Sequence, residues 1–317
     1  MKKSIKQTLM SGAMILALSL AFTSCEDIFG HWEQPINETT VFKKWNAATN
    51  SWETIDLSKL GYTTLTPQLI ASSIVAGELT LTPGRYLVED DVTIEANVLA
   101  GGGGALQFFL SNGKKLQING AIACGDATNL EVISQESGAL SVTSNTDNPA
   151  IMATNVTLDG GNVTLENTGG GEGITTPGGT VTIPSGSVNI TTSSATSAGI
   201  SAAKVAVGGS DATAEVNVNS TYGGINGNLE LSTGSNVLIK SSGTYGVNGT
   251  VFLHGGLCEI VGNTRACDYY QDWQYCEPVI RFFTSGDGTN WTQDPSYSGA
   301  QIACTVKGIK VWPDEHF

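Results

Sequence analysis

Two stretches of the chain nearly repeat each other: TYGGINGNL at residues 221–229 and TYGVNGTV at residues 244–251. Each places an aliphatic residue after a glycine turn, Ile225 in the first and Val247 in the second. The same context recurs upstream at Ile122, Ile151, Ile174 and Ile200. Successive members of this series lie 29, 23, 26, 25 and 22 residues apart. A period in the twenties indicates a solenoid, in which each repeat forms one coil stacked on the last.

Short alternating segments fill residues 78–263, with Gly, Asn, Asp or Ser between them. Such segments are typical of β-strands. Two or three strands per repeat match the coil of a parallel β-helix, whose coils stack about 4.8 Å apart. The sequence therefore predicts an all-β protein with a right-handed parallel β-helix, since crossovers between parallel strands are strongly right-handed. Consecutive Asn-Gly pairs at residues 226–227 and 248–249 predict stacked turns with positive φ.

Part of this region resembles known surface proteins. The stretches LQFFLSNGKKLQINGAI (106–122), LEVI (130–133) and GALSV (138–142) resemble bacterial cell-surface β-helix repeats, and they are similar to secreted carbohydrate-binding β-helix domains. The resemblance covers residues 78–263. It implies the fold, but it carries no binding residue with it.

Different segments flank the repeats, and we expect them to cap both ends of the solenoid. Residues 38–77 predict an N-terminal hairpin and cap, because bulky residues alternate around a polar turn in 40–56 and a short helix is expected near 67–73. Residues 264–317 hold ten of the 23 aromatic residues and predict an aromatic, cysteine-containing C-terminal cap. Open β-helix ends need such covers to avoid edge-to-edge aggregation.

The first 24 residues predict an export signal. Lys2, Lys3 and Lys6 precede an apolar stretch at 9–22 that is too short to span a membrane. The tetrad FTSC at 22–25 resembles a relaxed lipobox of bacterial lipoproteins. That resemblance implies cleavage before Cys25, lipid attachment to Cys25 and a tether at residues 25–37. An ordinary secretory signal with a chance cysteine is the alternative.

The residues after Cys25 bear on the final location. Glu26 and Asp27 resemble the surface-export signal of lipoproteins from the Bacteroidota. This resemblance implies a lipid-anchored protein on the outer face of the outer membrane. In enterobacteria an acidic residue at this place can instead direct retention in the inner membrane, so the periplasmic and outer faces both stay open.

The chain is acidic, and this excludes some partners. Its net charge of −14 becomes −17 once residues 1–24, with three lysines and no acids, are removed. Nucleic acid is therefore not an expected partner, and anionic glycans would need a bridging cation. Only 14% of residues are charged, which argues against a disordered acidic tail.

Five cysteines remain besides Cys25. Disulfides form and persist in exported proteins, because their surroundings are oxidising. Two disulfide bridges are expected among the four C-terminal cysteines, Cys258, Cys267, Cys276 and Cys304. The sequence does not determine which of them pair. Cys124 is then expected to be a small buried apolar residue. A zinc site is the alternative, but no paired CxxC spacing supports it.

Aromatic residues between two of these cysteines are the best lead to a ligand. Sugars pack on exposed aromatic rings while neighbouring polar groups orient their hydroxyls. The candidate ligand-binding residues are Tyr269, Tyr270, Trp273, Tyr275, Asp268 and Asp272. Rings that only plug the end of the coil stack are the alternative. Tyr222 and Tyr245 are expected to stack one coil apart in a turn.

Catalysis is not expected. On β-helices, a polysaccharide hydrolase needs carboxylates that converge on one face, and a lyase needs a basic residue to abstract a proton, usually beside calcium. The acids of the coils recur in no such pattern, and Lys204, Lys240 and Arg265 lie near no acid pair in the sequence. Glu89, Asp90 and Asp91 are a candidate calcium site, and a solvated turn is the alternative.

The sequence thus predicts non-catalytic binding of a glycan or another surface ligand. A structural or protein-adhesive surface element without a small ligand is the first alternative. A polysaccharide lyase or hydrolase is the second.

Overall fold

The computed structural model describes residues 40–272, 280–285, 292–293, 302–303 and 308–313. Parallel strands stack there into a β-solenoid of about 9 turns, so the predicted all-β parallel β-helix is confirmed. All described residues belong to one unit, Thr39–Phe317. The predicted export signal, Cys25 and the tether lie outside the described residues.

Short elements precede the coils: β1 (Val41–Asn46), β2 (Ser51–Asp56), α1 (Leu57–Leu60), β3 (Thr63–Thr64), α2 (Pro67–Ser73) and β4 (Ile74–Val75). The strands of the coils are β5 (Glu78–Leu81), β6 (Gly84–Val88), β7 (Val92–Ile94), β8 (Asn97–Ala100), β9 (Gly104–Leu110), β10 (Lys115–Asn119), β11 (Ile122–Cys124), β12 (Thr128–Ser134), β13 (Ala139–Ser144), β14 (Ile151–Met152), β15 (Val156–Asn167), β16 (Ile174–Thr192), β17 (Ala198–Val207), β18 (Ala214–Ser220), β19 (Gly223–Leu231), β20 (Ser235–Ser241), β21 (Tyr245–Leu253), β22 (Leu257–Gly262) and β23 (Arg265–Asp272). Four strands follow: β24 (Ile280–Ser285), β25 (Thr292–Gln293), β26 (Ile302–Ala303) and β27 (Gly308–Pro313). No helix in this described part is long and apolar enough to cross a membrane.

The repeated aliphatic residues form one continuous ladder inside the solenoid. Its members pair in register from coil to coil in the order Leu79, Val98, Ile122, Ile151, Ile174, Ile200, Ile225, Val247 and Cys267. Every member is fully buried. The series that the sequence analysis identified is therefore the core of one side of the solenoid, extended by two residues before it and one after it.

Two further ladders line the other sides of the coil. One contains Leu106, Leu130, Val156, Val181, Val205, Leu229 and Val251. The other contains Val92, Leu116, Leu140, Val163, Val188, Val216, Val237 and Cys258. The three ladders meet in a single apolar core, and this burial is the main force that stabilises the stack.

The two Asn-Gly pairs stack with positive φ as predicted, but they lie inside β19 and β21 and not in separate turns. Gly227 has φ +138 and Gly249 has φ +159, so both occupy the left-handed region. A Cβ atom on Gly227 would lie 1.7 Å from the carbonyl oxygen of Ala202 in the neighbouring coil. Close stacking of the coils therefore requires glycine at residue 227.

The N-terminal hairpin packs on the side of the solenoid instead of capping its end. Strands β1 and β2 pair antiparallel, and Phe42 of β1 meets the ring of Phe109 edge to face at 5.1 Å. Phe109 belongs to an outward row with Leu87 and Ile133, which pair with it in register. Phe42 and Leu57 bury this row almost completely. The hairpin is thus a lateral cover, because these outward apolar side chains need one.

Other segments end the stack. Leu65 and Ile70, the latter on α2, are buried in the main core, so this segment covers the first coils. Thr66 caps α2 by accepting the Leu69 N–H at 3.2 Å. At the other end β27 pairs antiparallel with β22, and β26 pairs antiparallel with β23. These antiparallel strands stop the parallel stacking.

Candidate ligand-binding cleft

A cleft of about 710 Å³ opens between the hairpin tip and three neighbouring coil turns. The hairpin supplies Trp45, Asn50, Ser51 and Trp52. The coil turns supply Gly209, Ser210, Asp211, Ser232, Thr233 and His254. The cleft therefore combines two tryptophans from the hairpin with polar groups from both the hairpin and the coil turns.

Coil stacking explains why the polar residues meet. The N–H of Ser232 donates to Val207 O at 2.9 Å, and the N–H of His254 donates to Leu231 O at 2.8 Å. Both residues therefore leave their coils at the same corner, directly after the interior ladder. Stacking brings together side chains that are 22 residues apart in the chain.

The two tryptophans form the aromatic side of the cleft. Trp45 and Trp52 pair across the hairpin, with ring centroids 5.3 Å apart and planes 69° apart. Both side chains are half-buried. The indole N–H of Trp52 donates to the carboxylate of Asp211, which joins the hairpin tip to the coil turn. This bond crosses 159 residues of sequence and holds the hairpin and the coil turn together.

A charged group lies beside the cleft. The Glu230 carboxylate lies 3.0 Å from Lys204 Nζ and 3.7 Å from His254 Nε2. All three side chains are about a third to a half exposed, so this ion-paired group contributes little to stability. Within the described lining, Asp211 is an acid and no residue is Lys or Arg. The cleft offers hydroxyls, one carboxylate and one imidazole.

A buried carboxylate underlies the tryptophans. Asp159 is 1% exposed. Its carboxylate accepts hydrogen bonds from the backbone N–H of Trp45 at 2.6 Å and from the Ser185 hydroxyl at 2.8 Å. Burial raises the pKa of Asp159, while these two hydrogen bonds and the Lys44 ammonium oppose the rise. Glu131, which pairs with Lys44 at 2.7 Å, adds to the rise. Asp159 thus fixes the backbone of the hairpin at Trp45.

The aromatic loop predicted from the sequence is largely beyond the described structure. Trp273 and Tyr275 lie outside the described residues. Tyr269, Tyr270 and Asp272 lie on β23, but their side chains are also outside what is described. Asp268 is half-buried and pairs with Arg265 at 2.7 Å. The predicted site therefore stays a prediction.

The tyrosine pair is present as expected, one coil apart. The rings of Tyr222 and Tyr245 meet edge to face with centroids 5.9 Å apart. With Thr244, Thr264 and Arg265 they line a second pocket of about 210 Å³. Its volume is less than a third of that of the tryptophan cleft.

Two of the calcium candidates, Asp90 and Asp91, have other partners. Asp90 lies 3.6 Å from Lys114 Nζ, and Asp91 accepts the Lys115 N–H at 2.9 Å. Among the described residues no group of three His, Cys, Asp or Glu side chains is placed to hold a metal ion. Glu89, Asp90 and Asp91 are therefore not gathered into a set of ligands.

The cysteines only partly follow expectation. Cys124 is a buried free thiol, as predicted, and burial raises its pKa to about 11. Cys258 is also a buried free thiol, with a pKa raised to about 12 by burial and by Glu259. The structure thus gives no support to a disulfide at Cys258. Cys267 is buried in the interior ladder, whereas Cys276 and Cys304 lie outside the described residues.

Sequence reasoning missed the cleft residues Trp45, Trp52, Asp211 and His254. A signal for the lateral cover does exist in the chain. Consecutive apolar residues interrupt the alternation at 87–88, 108–110 and 132–133, which is expected where both faces of a strand are buried. These runs mark the coils under the hairpin, but they do not identify what covers them.

Comparison of the chain with protein-family models, curated proteins and solved structures finds no match. Function therefore has to be inferred from the geometry of the cleft.

Proposed function

We propose that this protein is a surface lipoprotein that binds a glycan, without catalysis, in the cleft under its hairpin. The observation that carries the proposal is the Trp45–Trp52 pair, which faces polar groups from three coils. Aromatic rings pack against the C–H faces of sugars, and nearby carboxylates, hydroxyls and imidazoles orient the sugar hydroxyls. Hydrogen bonds from the Trp45 backbone N–H and from the Trp52 indole N–H hold the hairpin that carries these half-buried rings.

The size and charge of the cleft support a neutral ligand. Its volume of about 710 Å³ falls within the range of ~300–1,000 Å³ usual for ligand sites. Asp211 supplies negative charge, the described lining carries no Lys or Arg, and the chain has a net charge of −14. Neutral sugars are therefore favoured over uronates or sulfated sugars, which this field would repel.

The membrane is the second proposed partner, through lipid on Cys25. This part of the proposal is supported by the lipobox-like residues 22–25 and by Glu26 and Asp27. It places the protein on the outer membrane, facing outward. Labelling with radioactive palmitate, and its loss in Cys25→Ala, tests the anchor.

A glycan array tests the ligand. The mature chain is applied to neutral and acidic glycans, with and without calcium, beside Trp52→Ala and Trp273→Ala. We expect binding to neutral glycans that falls about thirtyfold or more in Trp52→Ala, because a tryptophan at the centre of a binding site commonly contributes ~2 kcal/mol or more. Trp273→Ala should bind normally. If only Trp273→Ala loses glycan binding, the site lies in the 267–276 loop. If the wild-type protein binds no glycan on the array, the proposal is refuted.

Two further outcomes are informative because of specific structural features. Shortening of the bound glycan, abolished in His254→Ala, would overturn the non-catalytic assignment, since His254 and Glu230 lie together beside the cleft. An adhesive role is the second candidate, favoured by an outward polar row in which Asn217 donates to Asn189 at 2.9 Å. Cell attachment that Asn189→Arg weakens and Trp52→Ala leaves intact would support that role.

A further inference from the structure

We propose that Asp159 is a positioning residue for the cleft, and that through it the affinity for ligand falls as the pH rises. The effect on affinity depends on the proposed function. The effect on the hairpin does not, and it can be measured without any ligand.

The position of Asp159 in the fold carries the first step. Asp159 on β15 continues the outward row of Phe109 and Ile133, and it pairs in register with Ile133. The coils before it present apolar side chains to the hairpin, whereas Asp159 presents a carboxylate. That carboxylate accepts the N–H of Trp45 at 2.6 Å, and Trp45 is the residue whose ring lines the cleft. Asp159 is therefore the contact that sets the place of this ring.

The partners of Asp159 are few. Ser185, on the next coil, donates to its other oxygen at 2.8 Å. The charged groups around it are Lys44 on the hairpin and Glu131 on the preceding coil, which pair with each other at 2.7 Å. Desolvation of the 1% exposed carboxylate raises the pKa of Asp159 more than the hydrogen bonds from the Trp45 backbone N–H and Ser185 lower it, while Lys44 and Glu131 act in opposite directions.

The sign of the pH effect follows from the burial. When the hairpin lifts, Asp159 meets water and its pKa returns to the ordinary value. The docked hairpin raises the pKa of Asp159, so the Asp159 carboxyl group holds its proton more tightly when the hairpin is docked than when it is lifted. The hairpin is therefore docked most strongly at Trp45 when the pH is below the ordinary aspartate pKa. Docking weakens as the pH rises through the raised pKa that Asp159 has under the docked hairpin. The apolar contact of Phe42 with Phe109 has no titratable group and keeps the other end attached.

The ligand-free test follows hydrogen exchange of the Trp45 amide and the circular dichroism of the Trp45–Trp52 ring pair against pH. We expect the protection factor of this amide to fall several-fold as the pH rises, and to be flat in Asp159→Asn. Ser185→Ala should move the fall to higher pH, because it removes a hydrogen bond that stabilises the ionised carboxylate. Glu136→Gln, at an exposed acid, is the control and should match the wild type. Coincident profiles for wild type and Asp159→Asn would overturn the proposal.

The ligand test uses the glycan selected on the array. Asp159→Ala should bind about tenfold more weakly at every pH, because the Trp45 N–H loses its acceptor. Asp159→Asn should restore binding, since its amide oxygen can accept the same hydrogen bond, and should remove the pH dependence. Wild-type affinity in Asp159→Ala at all pH values would refute the positioning role. If no glycan binds, the proposed function fails, while the ligand-free profiles still decide the role of Asp159.

Discussion

Replacing Phe109 with alanine would separate docking of the hairpin from stability of the solenoid. Phe108 and Phe109 are adjacent, identical and both fully buried, but they face opposite sides of strand β9. Phe108 belongs to the interior core, whereas Phe109 packs under the hairpin against Phe42. The pair Phe108→Ala and Phe109→Ala therefore removes the same atoms from two different interfaces.

The expected magnitude follows from what holds the hairpin. Burial of Phe42 and Leu57 against the outward row contributes ~3–6 kcal/mol to docking, at ~1.5–3 kcal/mol for each side chain. A buried Phe→Ala change costs ~3–5 kcal/mol. Phe109→Ala thus removes most of the apolar docking energy. A two-stranded hairpin is barely stable alone, so we expect it to undock while the coils stay folded.

Limited trypsin digestion and thermal melting distinguish the two variants. Cleavage after Lys43 or Lys44 on β1 should accelerate strongly in Phe109→Ala, with little change in the main melting transition. Phe108→Ala should lower the free energy of unfolding of the whole solenoid by ~3–5 kcal/mol and leave the cleavage rate unchanged at low temperature. Ligand binding should be lost in Phe109→Ala and kept in Phe108→Ala below its melting point.

Identical behaviour of the two variants would refute this reasoning. If both lowered the same melting transition without faster cleavage of β1, the hairpin would be an inseparable part of the solenoid. If Phe109→Ala changed neither property, the polar contacts alone would hold the hairpin. Either result would also contradict the inference that the hairpin carrying Trp45 can lift from the solenoid while the coils stay folded.

Two further perturbations test the coils themselves. Gly227→Ala should cost ~3 kcal/mol in chemical denaturation, because φ is +138 and the new Cβ would meet Ala202 O at 1.7 Å. Gly178→Ala, with φ +70 and nothing within 4 Å, should cost only ~1 kcal/mol, and equal costs would contradict the stacking argument. Burial raises the pKa of Cys124 to about 11 and that of Cys258 to about 12, from 9.0, so both thiols should resist alkylation by iodoacetamide at pH 8 until the chain unfolds. Rapid labelling of either thiol in the native protein, measured by mass spectrometry, would contradict this protection. The raised pKa values also link stability to pH: their contribution to folding is complete below pH 9.0 and is lost as the pH rises through the folded pKa values.

The repeat of the coils could be predicted because it is a local property. Each coil uses the same short pattern, an aliphatic residue after a small turn, and stacking places Ile122, Ile200 and Val247 in one ladder. The need for glycine at 227 and 249 could also be predicted, since Asn-Gly at one place in successive coils requires a positive φ. Periodicity determines these features before any long-range contact is known.

The candidate cleft could not be predicted in this way. Trp52 and Asp211 are separated by 159 residues, and no period or motif connects them. The burial of Cys258 could not be predicted either, because composition and compartment do not say which thiols face the apolar core.

The sequence by itself determined the solenoid, since a pattern repeated in every coil fixes which side chains face inward. Only the tertiary structure decided which side of the solenoid the hairpin covers, and with it where Trp45 meets Asp159. The physical reason is that outward apolar residues show that a cover is needed without specifying which segment of the chain supplies it. Phe109 and Ile133 require an apolar cover, and the segment that fills this need is selected by shape and charge across the folded chain.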